Sequence, residues 1–143
     1  MSSKLSVNAI SISIVISEFN QKVIENLLKG AIDAFTHHGG IQSNLNIYRV
    51  PGAFEIPGTI QQIIKFHNPH AIVALGAVIK GETPHFDFIS QSTTDAIMQL
   101  SINSKKPIGN GIITTLNKKQ AKFRSLTKGQ EAAGAVLSVL DNF

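Results

Sequence analysis

The sequence has 143 residues, enough for one domain with one hydrophobic core, and its formal net charge is +4. It has no cysteine, which excludes disulfides, zinc–thiolate sites and thiol nucleophiles. Only 15% of its residues are charged, against about 25% in an average soluble protein, and its mean hydropathy is +0.12, so a surface partly buried in an oligomer is favoured over a mildly apolar monomer.

Strand and helix patterns alternate along the chain. Strands are indicated by apolar alternation or, over 71–79, by a continuous apolar run typical of a strand covered on both faces. Helices are indicated by apolar residues at helical spacing, by capping residues at their starts and by glycines at their ends. In chain order, we predict a strand over 10–16, a helix from Asn20 to Gly39, a strand over 44–50, a helix over about 54–66, a strand over 71–79, a helix over about 86–103, a strand over 108–114, a short helix from Asn117 to about Arg124, and a last helix capped by Thr127.

This alternation predicts a flavodoxin-like α/β fold. The expected architecture is a three-layer sandwich, in which a four-stranded parallel sheet of order 2-1-3-4 has helices on both faces. A single domain should cover 1–143, with residues 1–9 as a flexible or interface arm. The start of the chain lacks the apolar core and cleavage site of a signal peptide, and no run is long enough to span a membrane. The expected location is therefore the cytoplasm, without a membrane partner.

Unusual residues follow all four predicted strands, at the edge of a parallel sheet where ligands bind. The loop after the third strand is the richest. Its Gly81 lets the backbone approach a ligand, and the amides of Glu82 and Thr83 precede a helix start, where a phosphate is favoured. His85 suits proton transfer near neutral pH. The alternative, of equal weight, is that Thr83 and Pro84 only begin the helix and His85 is an exposed surface residue.

Seven bases and no acid lie between Asp95 and Glu131. This stretch lacks interleaved aromatic residues and matches no nucleic-acid motif, so no nucleic-acid partner is expected. A small anionic substrate or a solvated helix face both fit the pattern. Lys80 could also form a Schiff base, if it is desolvated. Four histidines, His37, His38, His67 and His70, have no plausible partner set for a metal and suit helix ends or turns, so no metal site is expected.

Six segments together resemble the lumazine synthase family. They are SEFN at 17–20, VPGAFEIP at 50–57, LGAVIKGETPHFDFI at 75–89, GNGIITT at 109–115, QAKFR at 120–124 and KGQEAA at 128–133. They cover nearly the whole chain in order, and the second and third segments in combination are highly specific. The resemblance implies a cofactor-free enzyme that condenses 5-amino-6-(D-ribitylamino)uracil with 3,4-dihydroxy-2-butanone 4-phosphate in riboflavin biosynthesis.

The resemblance also implies roles for individual residues. Those implied to bind the aminouracil substrate are Phe19, Ala53, Phe54, Glu55, Ala77, Val78, Ile79, Asn110 and Lys128. Those implied to bind the phosphate are Glu82, Thr83 and Arg124, and His85 should donate and accept protons. The substrate amine condenses with the ketone, phosphate is eliminated, and the ring closes with loss of water.

In this family, the active site lies between neighbouring subunits of a pentamer or a pentamer-based assembly. The resemblance therefore implies that the Asn110 region and Arg124 come from the neighbouring subunit, and that riboflavin synthase is a candidate partner. Two residues depart from the family pattern, because Asn110 stands where many relatives have an aromatic residue and Leu116 replaces a common acid.

Two rival hypotheses are a binding module that holds lumazine or flavin without catalysis, and an aldolase-like enzyme that uses Lys80.

Overall fold

Strands and helices alternate strictly in the computed structural model, which describes residues 9–81 and 86–143. These ranges contain four strands, four α-helices and two short 3-10 turns, Gln42–Asn44 and Ala53–Glu55. In chain order, the main elements are β1 (Ile12–Ser17), α1 (Gln21–His37), β2 (Leu45–Val50), α2 (Ile56–Phe66), β3 (Ala71–Ile79), α3 (Phe86–Ser104), β4 (Ile108–Thr115) and α4 (Lys118–Leu140).

All four strands are parallel, in the order β2-β1-β3-β4, which confirms the predicted topology. The continuous apolar run predicted to be a central strand is β3, and its first six residues are buried. A parallel sheet needs a crossover helix after each strand, so every strand-to-helix loop leaves from the same edge. We call this the carboxyl edge, and the opposite edge the amino edge.

The helices form one layer on each face of the sheet. Because side chains alternate along a strand, Ile14 and Leu75 pack with α1 and α4 on one face, whereas Val15 and Ala74 pack with α2 and α3 on the other. The predicted helices on both faces are therefore confirmed. None of the helices in the described ranges is both long enough and apolar enough to cross a membrane.

The helices α1 and α4 lie unusually close together where glycines face the other helix. A Cβ added at Gly129 would collide with the carbonyl oxygen of Leu27, and one at Gly30 would lie 2.9 Å from the backbone nitrogen of Gln130. Glycine normally weakens a helix interior, but here it lets two backbones meet. This contact fixes the position of α4, which begins at the carboxyl edge.

One prediction about α4 was wrong, since the structure has one helix over Lys118–Leu140 where two were expected. Thr127 is an interior residue of this helix and does not cap a new one. The helix continues because neither Pro nor Gly lies between Arg124 and Thr127. Buried Ser125 also joins α4 to α1, since its hydroxyl donates to Lys122 O (2.6 Å) and accepts from Asn26 Nδ2 (3.0 Å).

Candidate active site

The carboxyl edge of the sheet has a step in its middle. β1 pairs with β3 only as far as Ile16 and Leu75, whereas β3 and β4 remain paired up to Ile79 and Thr115. The stretch 77–79 thus extends beyond Ser17, the last residue of β1, by about 10 Å at the usual rise per strand residue. The step lies beside the point where the strand order reverses, which is where ligands bind in open α/β sheets.

The first loop borders this step and is fixed by two sets of hydrogen bonds. The amide of Glu18 donates to Val50 O (2.8 Å), which joins the ends of β1 and β2. The side chain of Asn20 accepts from the amides of Lys22 (3.0 Å) and Val23 (3.4 Å), so its predicted role as the cap of α1 is confirmed. Phe19 is held between them, partly buried against the α1–α4 core.

The second loop contains three predicted site residues in one turn of 3-10 helix. Ala53 is 8% exposed and packs into the α2–α3 core, so its side chain faces away from solvent. Phe54 is 64% exposed, and Glu55 is also exposed. Glu55 starts α2 without a side-chain cap bond, and its carboxylate has no partner among the described residues.

The third loop begins at the top of the step. Ala77 and Val78 are partly buried and Ile79 is buried, at the end of β3 that extends past β1. The amide of Lys80 donates to Thr115 O (2.9 Å), and Gly81 adopts a φ of 91°, which favours glycine. Glu82, Thr83 and His85 lie outside the described residues, and α3 begins directly after them at Phe86.

The fourth loop ends in a capping box at the start of α4. The Asn117 side chain accepts from the Gln120 amide (2.8 Å), and the Gln120 side chain accepts from the Leu116 amide (2.8 Å). Thr115 is buried and donates to Asn117 O (3.1 Å). These bonds direct the first two turns of α4, with their bases, along the carboxyl edge.

A depression of about 580 Å³ lies between this loop and the start of α3. Arg124 borders it, with an exposed guanidinium on the second turn of α4, and Phe86 forms part of its wall. Its volume is within the usual range for small-molecule sites. The remaining wall is apolar or hydroxylic and consists of Thr114, Thr115, Leu116, Lys119, Gln120 and Phe123.

The carboxyl edge is rich in cations that have no acidic partner. Among residues 9–81 and 86–143, no ion pair involves Lys80, the three lysines of the first turns of α4 or Arg124. Unpaired cations around a concave surface attract anions, because their fields add. The arrangement therefore suits a small anionic ligand such as a phosphate ester.

A family model described as 6,7-dimethyl-8-ribityllumazine synthase matches residues 9–143. The chain belongs to this family. Proteins named 6,7-dimethyl-8-ribityllumazine synthase from Nitratidesulfovibrio vulgaris and Sulfurimonas denitrificans are both 41% identical to it, over 90% and 94% of this chain and 85% and 90% of their own. One of the same name from Chlorobium limicola is 37% identical over 96% of this chain and 89% of its own. The chain is thus a member of a family of condensing enzymes of the transferase type.

Two residues implicated by the likeness to lumazine synthases lie apart from this edge in the single chain. Asn110 pairs in register with Ala74, five residues before the end of β4, and its side chain accepts from the Ile112 amide (3.1 Å). Lys128 is partly buried, about 15 Å along α4 from its first residue. Neither Asn110 nor Lys128 lines the depression that contains Phe19 or the depression that contains Arg124.

The structure also adds wall residues that the sequence reasoning missed. Gln120, Phe123 and Lys119 border the Arg124 depression. The Asn-x-x-Gln capping box could have indicated Gln120, whereas no pattern in the sequence distinguishes Lys119 from its neighbours. Lys80 is exposed, so it lacks the desolvation that a Schiff-base lysine requires. Within the described ranges, no three His, Asp or Glu side chains are close enough to hold a metal ion.

Proposed function

We propose that the protein is a lumazine synthase acting on 5-amino-6-(D-ribitylamino)uracil and 3,4-dihydroxy-2-butanone 4-phosphate. The amine of the first substrate condenses with the ketone of the second and water is lost. Inorganic phosphate is eliminated, and ring closure releases a second water to give 6,7-dimethyl-8-ribityllumazine. The substrate supplies its own nucleophile, so the protein needs only to position two reactants and to move protons.

One observation carries this proposal: a cationic depression lies at the carboxyl edge, in a chain that matches the family over 9–143. Arg124 is its main cation, and a guanidinium binds phosphate through two parallel hydrogen bonds. The amides of Glu82 and Thr83 precede α3, where the helix dipole favours the same group. His85, in the same loop, is the proposed proton donor and acceptor.

The step between β1 and β3 suits the other substrate. Phe19 would stack on the pyrimidine ring, and the backbone of Ala77, Val78 and Ile79 would bond to the uracil edge, since β1 ends below these residues. The exposed carboxylate of Glu55 would accept hydrogen bonds from ribityl hydroxyls. Phe54 would cover the ribityl chain, and Ala53, whose side chain is buried, would contribute backbone only.

The active enzyme is proposed to be a pentamer or a pentamer-based assembly with its sites between subunits. Six of the exposed large apolar side chains lie on α3 or around the start of α4. They are Phe88 (68%), Met98 (60%), Ile102 (62%), Leu116 (61%), Phe123 (74%) and Leu126 (59%). Such patches are rare on monomers. Since Arg124 lies between Phe123 and Leu126, a neighbour covering that face would share the phosphate site, and Asn110 and Lys128 would serve the neighbour's site.

The proposed compartment is the cytoplasm, where phosphorylated sugars are made and consumed. Riboflavin synthase, which would consume the lumazine product, is the proposed partner enzyme. Metal and organic cofactors are not required by the proposed chemistry, because the imine formed between the substrates accepts the electron pair when the proton is lost before phosphate elimination, and no external oxidant or reductant is consumed.

The proposal is tested by mixing purified protein with both substrates and following lumazine fluorescence and phosphate release. We expect equal amounts of the two products. Tight binding of lumazine without turnover would instead support a binding module without catalysis. Trapping of a sugar-phosphate adduct by borohydride, lost in Lys80→Arg, would support the aldolase-like alternative.

The shared site is tested by mixing two inactive variants, His85→Ala and Arg124→Ala, under conditions that exchange subunits. Random mixing leaves about a quarter of the interfaces with His85 from one subunit and Arg124 from its neighbour. We therefore expect activity to return to about a quarter of the wild-type value. No recovery, with exchange verified by mass spectrometry, would mean that each site is built from one chain.

A further inference from the structure

Lys119 has an unusual position, since it borders three neighbouring depressions along the carboxyl edge. The first, of about 290 Å³, also contains Phe19. The second, of about 580 Å³, contains Lys80 and Gly81, and the third is the depression of Arg124, also of about 580 Å³. The side chain of Lys119 therefore lies beside Arg124, on a stretch of surface that is concave on several sides.

Helix stability does not explain a lysine at this position. Lys118 and Lys119 occupy the first turn of α4, which contains no acid, and cations at a helix N-terminus are unfavourable with respect to the helix dipole. The capping is performed by Asn117 and Gln120. Lys119 is exposed, and within the described ranges it has neither an ion pair nor a hydrogen bond through its side chain. Its ammonium group is thus free to meet a ligand.

We propose that Lys119 is a second phosphate-binding cation of this site, acting beside Arg124. Arg124 provides a planar pair of donors, whereas the flexible Lys119 ammonium adds a second positive charge at the same depression. It attracts the incoming phosphate ester and holds the inorganic phosphate that the reaction releases. The identity of the phosphate ester rests on the proposed function, but the binding of phosphate by Lys119 does not.

The test compares Lys119→Gln with Lys65→Gln, which removes the same charge from an exposed helix position at the amino edge. We expect Lys119→Gln to raise KM for the phosphate ester by about threefold to tenfold and to leave KM for the aminouracil within about twofold. Lys119→Arg should restore the wild-type value. Added NaCl should lower kcat/KM of the wild type more steeply than that of Lys119→Gln, because screening acts on the charge that the variant lacks.

Equal values for Lys119→Gln and Lys65→Gln would overturn the proposal, as would an equal rise in KM for both substrates. The dissociation constant of inorganic phosphate, measured by calorimetry without turnover, gives an independent answer. We expect it to rise by about threefold to tenfold in Lys119→Gln and not in Lys65→Gln. If the wild type forms no lumazine, the proposed function fails, while the phosphate measurement still decides the role of Lys119.

Discussion

The two edges of the sheet use polar side chains in opposite ways. At the amino edge they bond to the backbone of the turns: His70 Nδ1 accepts from the Ser11 amide (3.0 Å), Lys106 Nζ donates to Pro69 O (2.6 Å), and Ser101 Oγ donates to Lys106 O (2.8 Å). Burial lowers the pKa of Lys106, which agrees with an ammonium group drawn into the protein.

At the carboxyl edge, by contrast, three polar side chains beside the helix caps lack partners within the described ranges. The hydroxyl of Ser17 is buried against Gly76 without a hydrogen bond, and neither the Glu55 carboxylate nor the Lys119 ammonium is bonded. A satisfied hydrogen bond contributes about 0.5–1.5 kcal/mol to stability, whereas an unsatisfied buried group costs about 1–3 kcal/mol. The amino edge therefore stabilises the fold, and the carboxyl edge keeps groups available for ligands.

The largest effect is expected from His85→Ala at the carboxyl edge. Turnover should fall by about 10²–10⁴-fold, because general acid–base catalysis has this magnitude, while the aminouracil still binds. Stopped-flow fluorescence gives both quantities, and thermal unfolding should show no loss of stability. Unchanged turnover would contradict the proposed role of His85.

Arg124→Ala should have the next largest effect. Loss of a charge-assisted pair of hydrogen bonds costs about 1.5–3 kcal/mol, so KM for the phosphate ester should rise by about tenfold to a hundredfold. Binding of the aminouracil alone, measured by calorimetry, should change little. An equal loss of binding for both substrates would indicate that Arg124 has a structural role. The distinction between the two edges of the sheet would then no longer hold.

At the amino edge, His70→Ala should reduce stability and leave the kinetic constants unchanged. The Ser11 amide loses its acceptor, at a cost of about 1 kcal/mol in a partly buried turn. His70→Asn is the matched control, because its side-chain oxygen can accept the same hydrogen bond. Urea unfolding should show that His70→Asn is more stable than His70→Ala. A lower kcat in fully folded His70→Ala would contradict a purely structural role for His70.

The smallest effect is expected at Lys105, which follows α3 with a φ of 61°. A side chain is disfavoured in this left-handed conformation, and glycine is preferred directly after a helix. Lys105→Gly should therefore raise stability by about 0.5 kcal/mol. Lys105→Ala keeps the Cβ and should give no such gain. If both variants gain equally, loss of the lysine charge is the cause and not release of backbone strain.

Much of the fold could be predicted from local patterns. The run AIVALGAVI predicts β3 with its observed bounds, and Asn20 caps α1 as its side chain suggests. The continuity of α4 was not predicted, because Thr127 is a residue type that often caps a helix, and only the packing of α4 on α1, with Ser125 bonded to Asn26, shows that the helix continues through it. Local propensity is a weak guide where a tertiary contact compensates for it.

The candidate site was predicted less completely than the fold. The parallel sheet confirms that the four strand-to-helix loops leave from one edge, and Arg124, which the resemblance implies in phosphate binding, borders a depression there. Lys119 was not singled out, because a lysine among lysines has no local signature, and its importance comes from the three depressions that meet at its side chain. The resemblance assigns Asn110 to the neighbouring subunit's site, which stays a prediction, and in its own chain Asn110 lies five residues before the end of β4.

The sequence alone determined the order of elements, the parallel sheet, its topology and the family, because periodicity, capping residues and motifs are properties of short segments. Only the tertiary structure decided the height of the step between β1 and β3 and the side chains that share a depression. These depend on strand register and helix packing, which join residues distant in sequence and leave no pattern within one segment.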